Sequence, residues 1–135
     1  MANALYDKAR ERFLTGQLDW LTADIKVILT DTGAYTPNFT SHQYLADVSA
    51  GARVATSGVL TSKTATGGAA DAADVTFSAV TGASCEALIL YKDTGDPNTS
   101  PLIAYIDSGT GLPITPNGGD IVVTWDNGLN KIYRL

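Results

Sequence analysis

Cysteine and histidine are almost absent from this sequence of 135 residues, which contains only Cys85 and His42. A single cysteine excludes an intramolecular disulfide, and one cysteine with one histidine supplies too few ligands for a recognisable zinc site. No apolar run approaches the roughly 20 residues that span a bilayer, and the first residues lack the basic and apolar segments of a secretory signal. These absences predict a soluble domain that folds on an apolar core, without disulfide, metal or membrane.

Basic residues are also few. Nine lysines and arginines stand against fourteen aspartates and glutamates, which gives a formal net charge of −5. Five of the nine are spread over different predicted elements, at Lys8, Arg10, Arg12, Lys26 and Arg53. Because phosphate contacts need clustered cations, the sequence disfavours nucleic acid and anionic membrane as partners.

Catalytic groups are hard to assemble from this sequence. A thiol dyad would need Cys85 beside Glu86 together with His42, but their surroundings match no nucleophile motif, and a small thiol at a strand start is usually buried. Residues 93–98 place oxygen ligands close together like a calcium loop, but the terminal glutamate of an EF-hand is missing. That favours an ordinary Asx and proline turn. We therefore expect no enzymatic activity, no cofactor and no metal.

The first sixteen residues predict an amphipathic helix. Asn3 is a suitable N-cap for a helix over residues 3–15, and Gly16 is a suitable stop. Apolar side chains recur at helical spacing and form one stripe, which comprises Leu5, Tyr6, Ala9, Phe13 and Leu14. A helix of this length is marginal in water alone, so we expect the stripe to pack against another surface.

The rest of the chain, residues 24–135, predicts a β-rich core. Residues 24–32 and 75–80 have the period-two pattern of strands. Residues 86–92 are apolar on both faces, which predicts a strand buried on both sides, and their expected partner is 102–107.

Near its end the sequence carries a strong hairpin pattern. Residues 121–125 and 131–135 are rich in β-branched, aromatic and aliphatic side chains, and Asp-Asn-Gly at 126–128 lies between them. Asn-Gly between two such runs is the best short-range indication of a β-hairpin.

Two segments are ambiguous. Thr40 or Ser41 could cap a short helix near residues 40–48, and residues 53–65 alternate weakly, which predicts one or two mostly exposed strands. No repeat or linker divides the chain. We therefore predict a single domain over residues 1–135 that is mainly β. Its architecture would be an antiparallel β-sandwich or barrel-like core with an N-terminal α-helix.

Trp20, Trp125 and six tyrosines offer a second interpretation. Aromatic side chains exposed on one face form a stacking platform for sugars, and Trp125 stands at a strand end before the predicted turn. The more favoured interpretation places these tryptophans in the core or against its edge.

Six stretches that together cover nearly the full length carry a family resemblance, and they lie at residues 4–16, 18–29, 51–58, 88–95, 102–107 and 111–125. Through them the sequence resembles a group of small structural proteins of tailed-bacteriophage virions. None of them is a catalytic motif. The resemblance implies a head decoration (cement) protein or another minor component of the head or tail.

That resemblance also implies partners and a location. The chain would be made in the host cytoplasm and built into the virion, where it would bind the major capsid protein or other virion proteins. It would act as a homo-oligomer, and a trimer would suit a capsid threefold axis. The stripe Leu5, Tyr6, Ala9, Phe13 and Leu14 would be its contact surface. The alternatives are a tail-associated or receptor- and glycan-binding module, with Trp20 and Trp125 facing the ligand, and, least favoured, an enzyme.

Overall fold

The computed structural model describes residues 4–107, 112–125 and 131–134. Within them one α-helix, α1, spans Asp7–Leu14, and single 3-10 turns lie at Leu45–Asp47, Ala50–Ala52 and Thr66–Gly68. The strands are β1 (Ala4–Leu5), β2 (Ile25–Thr30), β3 (Arg53–Thr56), β4 (Ala69–Ala70), β5 (Val75–Phe77), β6 (Ala87–Lys92), β7 (Leu102–Ile106), β8 (Ile121–Val123) and β9 (Tyr133–Arg134). The prediction of a mainly β fold with a helix near the N-terminus is confirmed.

The centre of the fold is a five-stranded sheet in the order β1-β7-β6-β2-β3. All of its neighbouring strands are antiparallel, with Ile28 of β2 opposite Ile89 of β6 and Tyr105 of β7 opposite Ile89 on its other side. The predicted pairing of β6 with β7 is confirmed.

Both faces of this sheet are buried, as the apolar pattern of β6 predicted. Side chains of one face, including Val27 and Leu90, belong to one apolar cluster, and Ile28 and Ile89 belong to a second cluster on the other face. All four are 0% exposed. Burying one such side chain contributes about 1.5–3 kcal/mol, so the side chains on both faces of these strands stabilise the fold.

A narrow β-ribbon covers the first face. In it β5 pairs with β8 and β4 pairs with β9, both antiparallel, so that Val75 lies opposite Val123 and Ala70 opposite Tyr133. The hairpin prediction is therefore wrong in its pairing: the two halves of the predicted hairpin pair with β5 and β4 rather than with each other. The predicted turn at 126–128 lies outside the described residues.

Helix α1 and several turns cover the second face. Ala9 of the helix, Tyr35, Val48 and Ala52 join the sheet side chains of the second cluster. The fold thus has three layers, in which the five-stranded sheet lies between the ribbon and the helical side.

The helix begins later than its pattern predicted. Ala4 and Leu5 form β1 against β7, and the Tyr6 N–H donates to the Ile103 carbonyl at 3.0 Å, so pairing with the sheet replaces the first turn. Asn3, the predicted cap, lies outside the described residues. The predicted stop is confirmed, since Gly16 has φ of 75°, the left-handed conformation that glycine favours after a helix.

The two ambiguous segments are only partly regular. In place of a helix over 40–48 there is one 3-10 turn, Leu45–Asp47, and the Asp47 carboxylate accepts the N–H groups of Gln43 and Tyr44. Thr40 and Ser41 do not cap it, because its N-cap residue is Tyr44. Their own N–H groups donate to Asn38 Oδ1. Of residues 53–65, only Arg53–Thr56 forms a strand.

Candidate contact surface on helix α1

The five predicted contact residues do not lie on one exposed surface. Leu5, Tyr6 and Ala9 are 6%, 0% and 0% exposed, because they cover the second face of the sheet or pack at its edge within the same chain. Their assignment to a surface is corrected accordingly. Phe13 is half-buried, with its ring 6.2 Å from that of Tyr133. Leu14 is 87% exposed and is the one member of the stripe that points into solvent.

A chain of hydrogen bonds fixes the start of the helix. The Tyr6 and Tyr35 hydroxyls are 2.8 Å apart, and the Tyr35 hydroxyl is 2.9 Å from His42 Nδ1. The Asn38 N–H also donates to His42 Nδ1, so this nitrogen is an acceptor. Tyr35 therefore donates to His42, and Tyr6 donates to Tyr35.

Burial perturbs both tyrosines of this chain of bonds. It raises the pKa of Tyr35 to about 12 and raises the pKa of Tyr6 well above its ordinary value. Both hydroxyls therefore remain protonated and able to donate at neutral pH. His42 is half-buried and joins this network.

The outward side of α1 borders a shallow, open groove of about 180 Å³. Its walls carry polar side chains, which are Lys8, Glu11, Arg12, Thr15, Gln17 and Gln43. Arg12 lies over the Tyr44 ring, 5.0 Å from the centroid, and donates to Gln43 Oε1 at 3.2 Å. No sequence pattern predicts this groove, because Gln43 and Tyr44 come from a distant segment. The only available indication was the helical spacing of Lys8 and Arg12.

Trp20 and Trp125 hold the covering ribbon together. Between β4 and β5 the ribbon is interrupted, and there the Trp20 indole donates to the Asp71 carbonyl at 3.3 Å and the Trp125 indole to the Ala73 carbonyl at 3.0 Å. The two tryptophans are only 5% and 7% exposed. A stacking platform needs exposed ring faces, so the ligand-facing assignment of both residues is corrected and the core interpretation holds.

The residues considered for a thiol dyad lie in different layers. Cys85 belongs to the cluster on the first face, is 0% exposed, and has its pKa raised to about 11 by burial. His42 is bonded to Tyr35 of the second cluster. Glu86 Oε1 accepts the N–H and hydroxyl of Thr32. These three side chains therefore stabilise separate parts of the fold.

The acidic loop between β6 and β7 is organised by its own contacts. Asp93 Oδ2 is 2.7 Å from Lys26 Nζ, and this hydrogen bond lowers the pKa of Asp93 and raises that of Lys26. Asp93 Oδ1 accepts the Gly95 N–H, and Asp96 Oδ1 accepts the Asn98 N–H. The predicted Asx turns are thus formed. In the part of the chain that the structure describes, no three His, Cys, Asp or Glu side chains converge as a metal site.

Comparison of the chain with protein-family models and with curated proteins finds no match. Among the described residues no helix has the length and apolar character needed to cross a bilayer. The class that the structure establishes is a mainly β fold with a five-stranded antiparallel sheet and one α-helix near the N-terminus.

Proposed function

We propose that this chain is a non-enzymatic structural protein of a bacteriophage virion, and specifically a capsid decoration protein that stabilises the head through protein–protein contacts. The observation that carries the proposal is the exposure of Leu14 on a helix whose opposite side is anchored in the core. The resemblance of the sequence to small virion proteins of tailed phages supplies the class of partner.

The anchoring of α1 makes its exposed end a rigid surface. Tyr6 and Ala9 are fully buried beneath the helix, so the position of Leu14 is set by the core of the same subunit. A helix backbone that is already anchored loses little entropy when it docks, and burying a leucine contributes about 1.5–3 kcal/mol. A contact of this kind, repeated over many copies, would add to the binding of a protein that clamps neighbouring capsid subunits.

The partners in this proposal are the major capsid protein or other virion proteins, and further copies of the same chain. A homotrimer would place three copies of α1 around a capsid threefold axis. The chain would be made in the host cytoplasm and then join the virion. Its net charge of −5 disfavours binding to the packaged DNA.

The test is binding of the purified chain to DNA-filled heads that lack it, followed by sedimentation and quantitative mass spectrometry. Leu14→Asp should weaken binding about ten- to a hundredfold, because the lost burial is about 1.5–3 kcal/mol. The matched control is Leu21→Asp, since Leu21 is also exposed, at 52%, but does not belong to the helix.

Two outcomes would contradict the proposal. Wild-type protein that does not bind heads but copurifies with tails would support the tail-associated alternative. Equal loss of binding in the two aspartate variants would show that Leu14 makes no special contact.

A further inference from the structure

Helix α1 carries three cations, of which two are neutralised on the helix itself. Lys8 Nζ lies 3.2 Å from the Glu11 carboxylate, and Arg10 Nη1 lies 3.0 Å from Asp7. Arg12 makes no ion pair with any carboxylate within the described ranges. No described carboxylate therefore neutralises its positive charge directly.

Neutral groups hold the Arg12 guanidinium in place. The Tyr44 ring lies beneath it at 5.0 Å, one terminal nitrogen donates to Gln43 Oε1 at 3.2 Å, and the other donates to the Lys8 carbonyl at 3.4 Å. A guanidinium has five N–H donors, so about three remain for another acceptor. The Arg12 guanidinium is thus already oriented before a ligand binds, and it has N–H donors available for that ligand.

The groove around Arg12 differs in charge from the rest of the chain. Its charged lining residues are Lys8, Arg12 and Glu11, two positive and one negative, whereas the whole chain has a net charge of −5. Its volume of about 180 Å³ is below the roughly 300 Å³ at which pockets for whole small molecules begin. The space suits a single side chain.

We propose that this groove receives a carboxylate side chain of a partner protein, with Arg12 as its principal ligand and the Gln43 and Gln17 amides beside it. A protein is favoured over a free acid or an acidic sugar because Leu14, on the next face of the same helix, adds an exposed apolar contact. Arginine is also among the residues that most often dominate the binding energy of protein interfaces. The inference rests on the proposed function only for the identity of the partner.

The first experiment tests the groove without any phage component. A tetraglutamate peptide is titrated into the labelled full chain at low salt and followed by NMR, with tetraglutamine as the uncharged probe. Tetraglutamate should shift the signals of Arg12, Gln43 and Gln17, tetraglutamine should not, and added salt should abolish the shifts. Wild-type protein without shifts at these residues would overturn the inference.

Matched variants separate this site from general charge effects. Arg12→Gln should bind the peptide about tenfold more weakly, as expected for loss of one charge-assisted contact. Arg10→Gln removes the same charge from the same helix but should change little, because Asp7 already neutralises Arg10. Arg12→Lys keeps the positive charge but loses the planar guanidinium, so its affinity for the peptide should lie between those of the wild type and Arg12→Gln. Equal effects of Arg10→Gln and Arg12→Gln would also overturn the inference.

The same variants on DNA-filled heads distinguish the two proposals. If wild type and Arg12→Gln bind heads equally well, the groove inference is wrong while the proposed function stands. If wild type does not bind heads but tetraglutamate still shifts the groove signals, the function is wrong and the carboxylate site stands.

Discussion

The hydroxyl chain from Tyr6 through Tyr35 to His42 gives the sharpest prediction on stability. Tyr6→Phe keeps the ring and removes one donor, and Tyr35 loses a hydrogen bond at 2.8 Å but still donates to His42. The net value of such a neutral hydrogen bond is about 1 kcal/mol. We therefore expect Tyr6→Phe to lower the free energy of unfolding by about 1 kcal/mol.

Tyr35→Phe should lower the free energy of unfolding by more than Tyr6→Phe does. It leaves the Tyr6 hydroxyl, whose residue is 0% exposed, without its acceptor, and it also removes a donor from His42. An unsatisfied buried hydroxyl costs about 1–3 kcal/mol, so the expected loss is about 2–3 kcal/mol. Adding Tyr6→Phe to Tyr35→Phe removes the stranded hydroxyl. The same substitution that destabilises the wild type should therefore stabilise the Tyr35→Phe variant.

Urea denaturation followed by tryptophan fluorescence measures all four proteins of this double-mutant cycle, because Trp20 and Trp125 both lie in the folded core. A change of sign between the two backgrounds is the expected result. Additive losses in the double variant, with unchanged slopes of the urea dependence, would contradict the hydrogen bond between the two hydroxyls.

Three further predictions concern buried groups. The Tyr133 hydroxyl is buried and has no hydrogen-bond partner among the described residues, so Tyr133→Phe should raise the free energy of unfolding by about 1 kcal/mol in chemical denaturation; a loss would contradict this. Because burial raises the folded-state pKa of Tyr35 to about 12, the folded state keeps a proton that the unfolded chain releases from about pH 10. Unfolding midpoints measured from pH 9 to 11 should therefore fall as pH rises, and a constant midpoint would count against it. Cys85, 0% exposed with its pKa raised to about 11, should react with a thiol reagent only at the rate of unfolding, whereas fast labelling of the native protein would show that the site is open.

The hydrophobic pattern of single segments correctly predicted the buried strand β6 and most of helix α1. The apolar character of residues 86–92 required two covered faces, and β6 has them. The helix was predicted because Leu5 and Ala9 fit a helical spacing, and most of it exists. Its first residues instead form β1, because hydrogen bonds to β7 replace those of a first helical turn. The pattern of the first residues alone cannot reveal β7, because β7 lies about a hundred residues further along the chain.

The hairpin and the groove show the same limit of prediction from local sequence patterns. Asn127-Gly128 favours a tight turn, yet β8 and β9 pair with the distant strands β5 and β4. Arg12 acquires its orientation from Tyr44, which lies on another segment. Burial of Trp125 also depends on the interruption of the ribbon, which the sequence does not mark. In each instance the deciding contact joins residues far apart in the chain.

The pairing of β1 with β7 determines when the N-terminal segment can reach its final position during synthesis. Leu5 lies opposite Ala104, so the ribosome must complete β7 before β1 has anything to bind. Until then Leu5, Tyr6 and Ala9 lack the part of their packing surface that β7 supplies, and a helix as short as α1 is barely stable alone. The N-terminal segment can therefore reach its final position only after β7, which lies about a hundred residues further along the chain, has been made.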